Sequence, residues 1–73
     1  MARKRSPQER IRLAIRRAGM TRAEFADALG VSVHTVHAWL KPPDNRAYRE
    51  PRQRDVLAAE VLAGRRAGRR ADR

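Results

Sequence analysis

The chain has 73 residues, no cysteine and a formal net charge of +10 at pH 7. A chain of this length forms one small domain without room for a deep substrate cleft, and without cysteine it has neither a disulfide framework nor a thiolate metal site. No apolar run approaches the ~20 residues of a membrane span, and the basic start lacks the apolar segment of a signal peptide. We therefore expect a cytoplasmic protein that is not an enzyme.

The positive charge is concentrated at the two ends of the sequence. Three of the first five residues are basic and five of the ten residues in 64–73 are arginines, whereas residues 6–63 carry ten basic and seven acidic side chains. Basic ends are typical of arms that follow a phosphate backbone. An arginine-rich composition is equally expected of a GC-rich genome. We predict a folded domain at 6–63 between a disordered basic arm, 1–5, and a disordered Arg-rich tail, 64–73.

A first helix is predicted to begin at Pro7 and to end before Gly19. Ser6 is placed as its N-cap, Pro7 occupies the first helical position, and Glu9 completes a capping box. The predicted buried stripe consists of Ile11, Ala14, Ile15 and Ala18. The arginines on the other sides of this helix are most simply a solvated surface.

A second helix is predicted to begin after Thr21 and to end at Gly30. Thr21 and Glu24 form another capping box, and Met20 and Phe25 are placed to make a hydrophobic staple around it. Gly30 can adopt the left-handed conformation that ends a helix. A third helix starts only two residues later, so the pair is predicted to form a helix-turn-helix.

The third helix is predicted to begin after Ser32 and to end at Leu40. Val36 faces inward, and at about 100° per residue several polar or small side chains face outward. They are His34, His37, Ala38 and Lys41. Two hydrogen-bonding rings, a cation and a small residue suit a helix that enters the major groove of DNA. The alternative is a packed helical hairpin that touches no nucleic acid, since the motif by itself encodes only packing.

This stretch resembles the Cro/lambda-repressor-like (XRE-type) helix-turn-helix regulators. The shared pattern is Ala26, Gly30, Val31, Ser32 and Val36. The resemblance implies an all-α, lambda-repressor-like domain of four to five short helices that binds duplex DNA. The family commonly has glutamine at the start of its first motif helix, where it braces the recognition helix and meets a phosphate. Arg22 stands at that position here, which keeps the phosphate role and leaves the bracing role open.

The third helix is predicted to read base edges with its N-terminal half. The expected hydrogen-bonding readers are His34 and His37, and the expected apolar readers are Val33 and Ala38. The expected phosphate contacts are Arg22, Ser32, Thr35, Lys41, Arg46 and Arg49. The resemblance implies the roles of Ser32 and Val33, whereas the helical wheel supports those of His34, His37, Ala38 and Lys41.

No metal, cofactor or small-molecule substrate is expected. His34 and His37 have the spacing of half a zinc site, but no cysteine exists and no carboxylate is obviously on their face. Nucleotide-binding glycine motifs are absent, and so is a Ser/His/Asp set that a chain of this size could bury and orient.

A loop of about ten residues is predicted after Leu40, because Pro42 and Pro43 cannot continue the helix. Its basic residues are suited to the DNA backbone, and Tyr48 either packs against the core or binds a phosphate.

A fourth helix is predicted to begin at Pro51 and to end near Ala63, with Gly64 as the stop. Its apolar side chains point several ways, so one contact with the first three helices cannot bury them all. We predict a homodimer interface made by Val56, Leu57, Val61 and Leu62. The alternative is a helix that wedges deeply into its own domain. This region, with YREP and VLAAEVLA, also resembles small anti-CRISPR-associated regulators of phages.

The sequence therefore predicts a transcriptional regulator, a repressor that binds a palindromic operator in duplex DNA as a homodimer and is encoded by a bacterium, phage or mobile element. One alternative is an excisionase-like or packaging-type architectural protein that bends or bridges DNA. Another is an antitoxin-type interaction module whose last helix folds on a partner. A third is an arginine-rich peptide that acts on RNA or anionic membranes through its ends.

Overall fold

The computed structural model describes the backbone of residues 5–71 and the side chains of residues 5–66. Within that range the chain forms four helices and no strand. They are α1 Pro7–Ala18, α2 Arg22–Leu29, α3 Val33–Leu40 and α4 Gln53–Ala71. The prediction of an all-α domain with a central helix-turn-helix is confirmed. Most of the predicted N-terminal arm lies outside the described residues.

The first three helices begin with side-chain caps, as the sequence predicts. The Ser6 and Thr21 side chains each accept a hydrogen bond from the backbone N–H three residues on. The Glu9 and Glu24 carboxylates accept one from the backbone N–H of the cap residue, which completes both capping boxes. At α2 the Glu24 carboxylate accepts from the Thr21 N–H at 2.8 Å. That hydrogen bond holds the pKa of Glu24 below its usual value. Ser32 caps α3 by accepting from the Thr35 N–H at 3.2 Å.

Two glycines end α1 and α2 in the left-handed region. Gly19 has φ of 67° and Gly30 has φ of 75°. A side chain would be strained there, so glycine stops each helix without the penalty that other residues incur. The Gly30 turn leads directly into α3 and sets the corner between the two motif helices.

The core lies where all four helices meet. Its largest fully buried side chains are Phe25, Ile11, Val36 and Val56. Trp39 of α3 and the small residues Ala14, Ala26, Ala59 and Ala63 pack around them. Ile15, predicted to be buried, is half-buried against this core. Because α3 contributes Val36 and Trp39, burial of its inner face fixes which face remains outside.

Helix α4 differs from the prediction at both ends. It begins at Gln53, after a buried Pro51, and it continues through Gly64 to Ala71. The predicted end at Ala63 is wrong, and the expected disordered tail is helical over 64–71. An interior glycine costs about 1 kcal/mol, which the neighbouring alanines and arginines, as good helix formers, can offset. Arg66 Nε also donates to the Ala18 carbonyl oxygen at 3.3 Å, which links α4 beyond Gly64 to the end of α1.

The burial of α4 corrects the predicted dimer interface. Val56 is only 1% exposed, because it lies with Ala59 and Ala63 on the face that packs against the core. It therefore cannot meet a second subunit, and its assignment to the interface is wrong. Leu62 is half-buried against the same core. Leu57 and Val61 are exposed at 47% and 55%.

Candidate nucleic-acid interface

Helix α3 turns a polar and small-residue face outward. Val36 and Trp39 are buried on its inner side, whereas His34 is exposed and His37 and Ala38 are half-exposed. Val33, Thr35 and Lys41 are half-exposed as well, and Ser32 is exposed. The α3 sequence, VHTVHAWL, contains no acidic residue. This face therefore offers hydrogen-bonding rings and small apolar groups without a carboxylate that would repel a phosphate.

The N-terminal end of α3 is closed by a small hydroxyl cluster. The Ser32 hydroxyl accepts from the Thr35 N–H, and the two hydroxyl oxygens lie 3.1 Å apart. Ser32 and Thr35, two of the predicted phosphate contacts, thus lie together at a helix N-terminus, where backbone N–H groups and the helix dipole favour an anion.

The C-terminal end of α3 is capped by Gln8, a role that the sequence did not predict. The Gln8 side-chain amide donates to the carbonyl oxygen of Trp39 at 2.9 Å and to that of Lys41 at 2.6 Å. The Arg49 N–H donates to the Ala38 carbonyl oxygen at 3.1 Å. These carbonyls lie at or just beyond the end of α3, where the last helical carbonyls have no partner within the helix. Contacts from α1 and the following loop therefore fix the end of α3.

Arg22 contacts the outward face of α3. Its Nη1 lies 3.1 Å from Nδ1 of His37, which joins the first residue of α2 to a predicted base reader. Arg22 therefore contacts α3 from the position where the resembling family commonly has glutamine. Arg22 is exposed, so the same guanidinium can also offer N–H groups to a phosphate.

The loop after α3 presents the other predicted phosphate contacts. Residues 41–52 contain no helix, as predicted. The Asn45 side-chain oxygen accepts from the Ala47 N–H at 2.8 Å, and its carbonyl oxygen accepts from the Tyr48 N–H at 3.0 Å. Arg46 and Arg49 are exposed on this loop. Tyr48 is half-buried, and its carbonyl oxygen accepts from the Arg49 guanidinium at 3.3 Å.

The described part of the chain holds no group of three His, Cys, Asp or Glu side chains that could bind a metal ion. None of its helices combines the length and the apolar character needed to cross a membrane.

The family of the chain follows from a sequence comparison. The family model of the homeodomain-like domain matches residues 4–41, just over half of the chain, and the match spans α1, α2 and α3. The chain therefore belongs to the homeodomain-like helix-turn-helix family. Neither the curated proteins nor the solved structures give a significant match.

Membership of this family indicates a DNA-binding protein, and the family is generally not enzymatic. The predicted helix-turn-helix and DNA-binding class are thus confirmed. The match specifies a homeodomain-like domain and does not specify the narrower Cro/lambda type.

Proposed function

We propose that the protein is a transcriptional regulator that recognises a specific duplex DNA sequence through α3. The observation that carries this proposal is the outward face of α3, whose position is fixed at both ends while its side chains remain accessible. A short helix anchored in this way can enter the major groove as a rigid unit. The residue pattern from Ala26 to Val36 favours the Cro/lambda-like (XRE-type) group among helix-turn-helix regulators.

The residues around α3 divide into two kinds of contact. His34 and His37 donate or accept hydrogen bonds at base edges, and Val33 and Ala38 make apolar contacts such as those to thymine methyl groups. The phosphate contacts are Arg22, Ser32, Thr35, Lys41, Arg46 and Arg49. The net charge of +10 and the arginines of residues 64–73 add attraction that does not depend on sequence.

The regulator acts as a homodimer on a palindromic operator. Leu57 and Val61 are four residues apart on one face of α4 and are the exposed large hydrophobic residues of the described chain. An isologous contact through this face buries both and places two α3 helices for two half-sites. The half-sites then lie about 34–36 Å apart, one turn of DNA.

The regulator works as a repressor, because occupying an operator requires only a DNA-binding domain. Its setting is the cytoplasm of a bacterium, with the gene carried by the bacterium, a phage or a mobile element.

Selection of bound sites from random duplexes tests this function. The expected result is a palindromic motif with half-sites one helical turn apart, bound with an affinity that falls steeply as salt rises. Bound duplexes without a shared motif, together with DNA bending, would instead support the architectural alternative. No binding to any duplex at moderate salt would refute the proposal.

A further inference from the structure

The contact between Arg22 and His37 constrains the chemistry of the base reader. A guanidinium carries five N–H donors and no acceptor. A nitrogen 3.1 Å from Arg22 Nη1 must therefore accept, so Nδ1 of His37 carries no proton in this contact. The neutral ring then holds its proton on Nε2, which is a donor. In this contact Nδ1 lies toward the start of α2.

We propose that Arg22 determines the base preference of His37 by selecting the ring tautomer with the proton on Nε2. This inference rests on the proposed reading of DNA by α3. The half-exposed His37 ring then presents one hydrogen-bond donor to the major groove. Guanine offers N7 and O6 there, adenine offers N7 and thymine offers O4, whereas cytosine offers only its N4 amino donor. The site read by His37 therefore accepts guanine, adenine or thymine and excludes cytosine.

The opposite tautomer would reverse this preference. With the proton on Nδ1, Nε2 becomes an acceptor, and the N4 amino group of cytosine or the N6 amino group of adenine becomes a suitable partner. Removing Arg22 should therefore admit cytosine, because both tautomers become accessible. Arg22 is in this respect a specificity-determining residue that acts through His37, in addition to any phosphate that it binds.

The first test is made on the protein without DNA. Arg22→Met keeps a long side chain but removes every donor. The nitrogen-15 shifts of the imidazole rings are measured in buffer basic enough to keep the rings neutral. In the wild type, Nδ1 of His37 should give a pyridine-type signal and Nε2 a pyrrole-type signal. In Arg22→Met the two signals should move toward each other, whereas those of the exposed His34 should stay constant. Unchanged His37 signals would overturn the inference.

The second test is made on DNA. The position read by His37 is the one whose base preference is lost in His37→Ala during selection from random duplexes. At that position Arg22→Met should reduce discrimination against cytosine by about three- to tenfold, the effect of one hydrogen bond. The variant with both Arg22→Met and His37→Ala should show the same base preference at that position as His37→Ala alone. Arg12→Met, which removes an exposed charge from α1, controls for the lost cation and should leave the preference intact.

The outcomes separate this inference from the proposed function. If His37→Ala changes one position and Arg22→Met does not, the inference is wrong and base reading by α3 stands. If His37→Ala changes no position, base reading by His37 and its control by Arg22 are both wrong. The ring signals then show whether the Arg22 contact serves only to brace α3.

Discussion

Helices α3 and α4 are stabilised in different ways. Helix α3 has eight residues, begins at a Ser32 cap and has carbonyls near its end bonded by Gln8 and Arg49. Helix α4 has 19 residues, contacts α1 extensively and contributes Val56, Ala59 and Ala63 to the core. An isolated helix shorter than about 12–15 residues is marginal in water, so a short helix depends on its ends and its neighbours.

This difference bears on function, because a reader of base edges must hold its side chains in place. The contacts at the C-terminal end of α3 come from α1 and the following loop, and Arg22 of α2 contacts the His37 side chain, so several elements position α3 at once. Helix α4 gains its stability from a packed stripe and can extend beyond the core without changing the position of α3. We therefore propose that the short helix supplies specificity and that the exposed face of the long one supplies self-association.

The largest expected effect separates the two faces of α4. Val56→Glu places a charge without a partner in the core and should cost more than about 4 kcal/mol, which is close to the whole stability of a small domain. Val61→Glu, at a side chain 55% exposed, should remain folded. It should also shift the protein to monomers with weak operator binding. Circular dichroism and sedimentation measure these results. A wild-type protein that is monomeric at high concentration and binds single half-sites fully would contradict the interface.

A matched pair of glycine variants tests how the helices end. An added Cβ meets nothing within 4 Å at either Gly30 or Gly64, so space does not distinguish them. Gly30→Ala should destabilise by about 1–2 kcal/mol because φ is positive there. Gly64→Ala should stabilise by about 0.5–1 kcal/mol because the residue is inside a helix. Urea unfolding gives both values. If Gly64→Ala destabilised the protein, α4 would end at Gly64 and would not continue through it.

Replacing Gln8 tests the closure of α3 from α1. Gln8→Ala removes the donor to the Trp39 and Lys41 carbonyls and should cost about 1 kcal/mol of unfolding free energy. It should also weaken specific DNA binding more than nonspecific binding, because the end of α3 loses its anchor. Ala substitution of the exposed Arg12 is the control on the same helix. Equal effects of the two variants would show that Gln8 does not position α3.

The smallest expected effect is the pH dependence of the ion pair between α1 and α4. Arg10 Nε donates to Glu60 at 2.8 Å, and this holds the pKa of Glu60 below its usual value. Because the pKa of Glu60 is lower in the folded chain than in the unfolded chain, the ion pair stabilises the fold at pH values above the unfolded-state pKa. This stabilisation is lost as the pH falls through the folded-state pKa. Glu60→Gln should therefore be slightly less stable at neutral pH, and the difference should shrink in acid. The effect is small because both side chains are partly exposed. A difference that stays constant with pH would contradict this account.

The sequence predicts what is encoded locally. Both capping boxes, the Ser32 cap, the two left-handed glycines and the inward position of Val36 depend on residues within a few positions of each other. For that reason the bounds of α1, α2 and α3 were predictable, and so was the outward face of α3.

The features that the sequence did not predict depend on residues far apart in the chain. Gln8 reaches carbonyls 31 and 33 positions away, and Arg66 reaches Ala18 across 48. Gly64 could end a helix, but the sequence does not distinguish a glycine that ends a helix from one inside it. Val56 was assigned to the wrong face because the helical wheel gives the angles between side chains without saying which one meets the core.

The most direct test of the central claim measures base discrimination by α3. His34→Ala and His37→Ala remove outward side chains at little cost to the fold. In competition between the selected site and unrelated duplex, each should reduce specific binding by about 1–3 kcal/mol and relax one or two symmetric base positions. Nonspecific binding should change little. If both variants remain folded and keep wild-type discrimination, α3 does not read the bases and the proposed function is wrong.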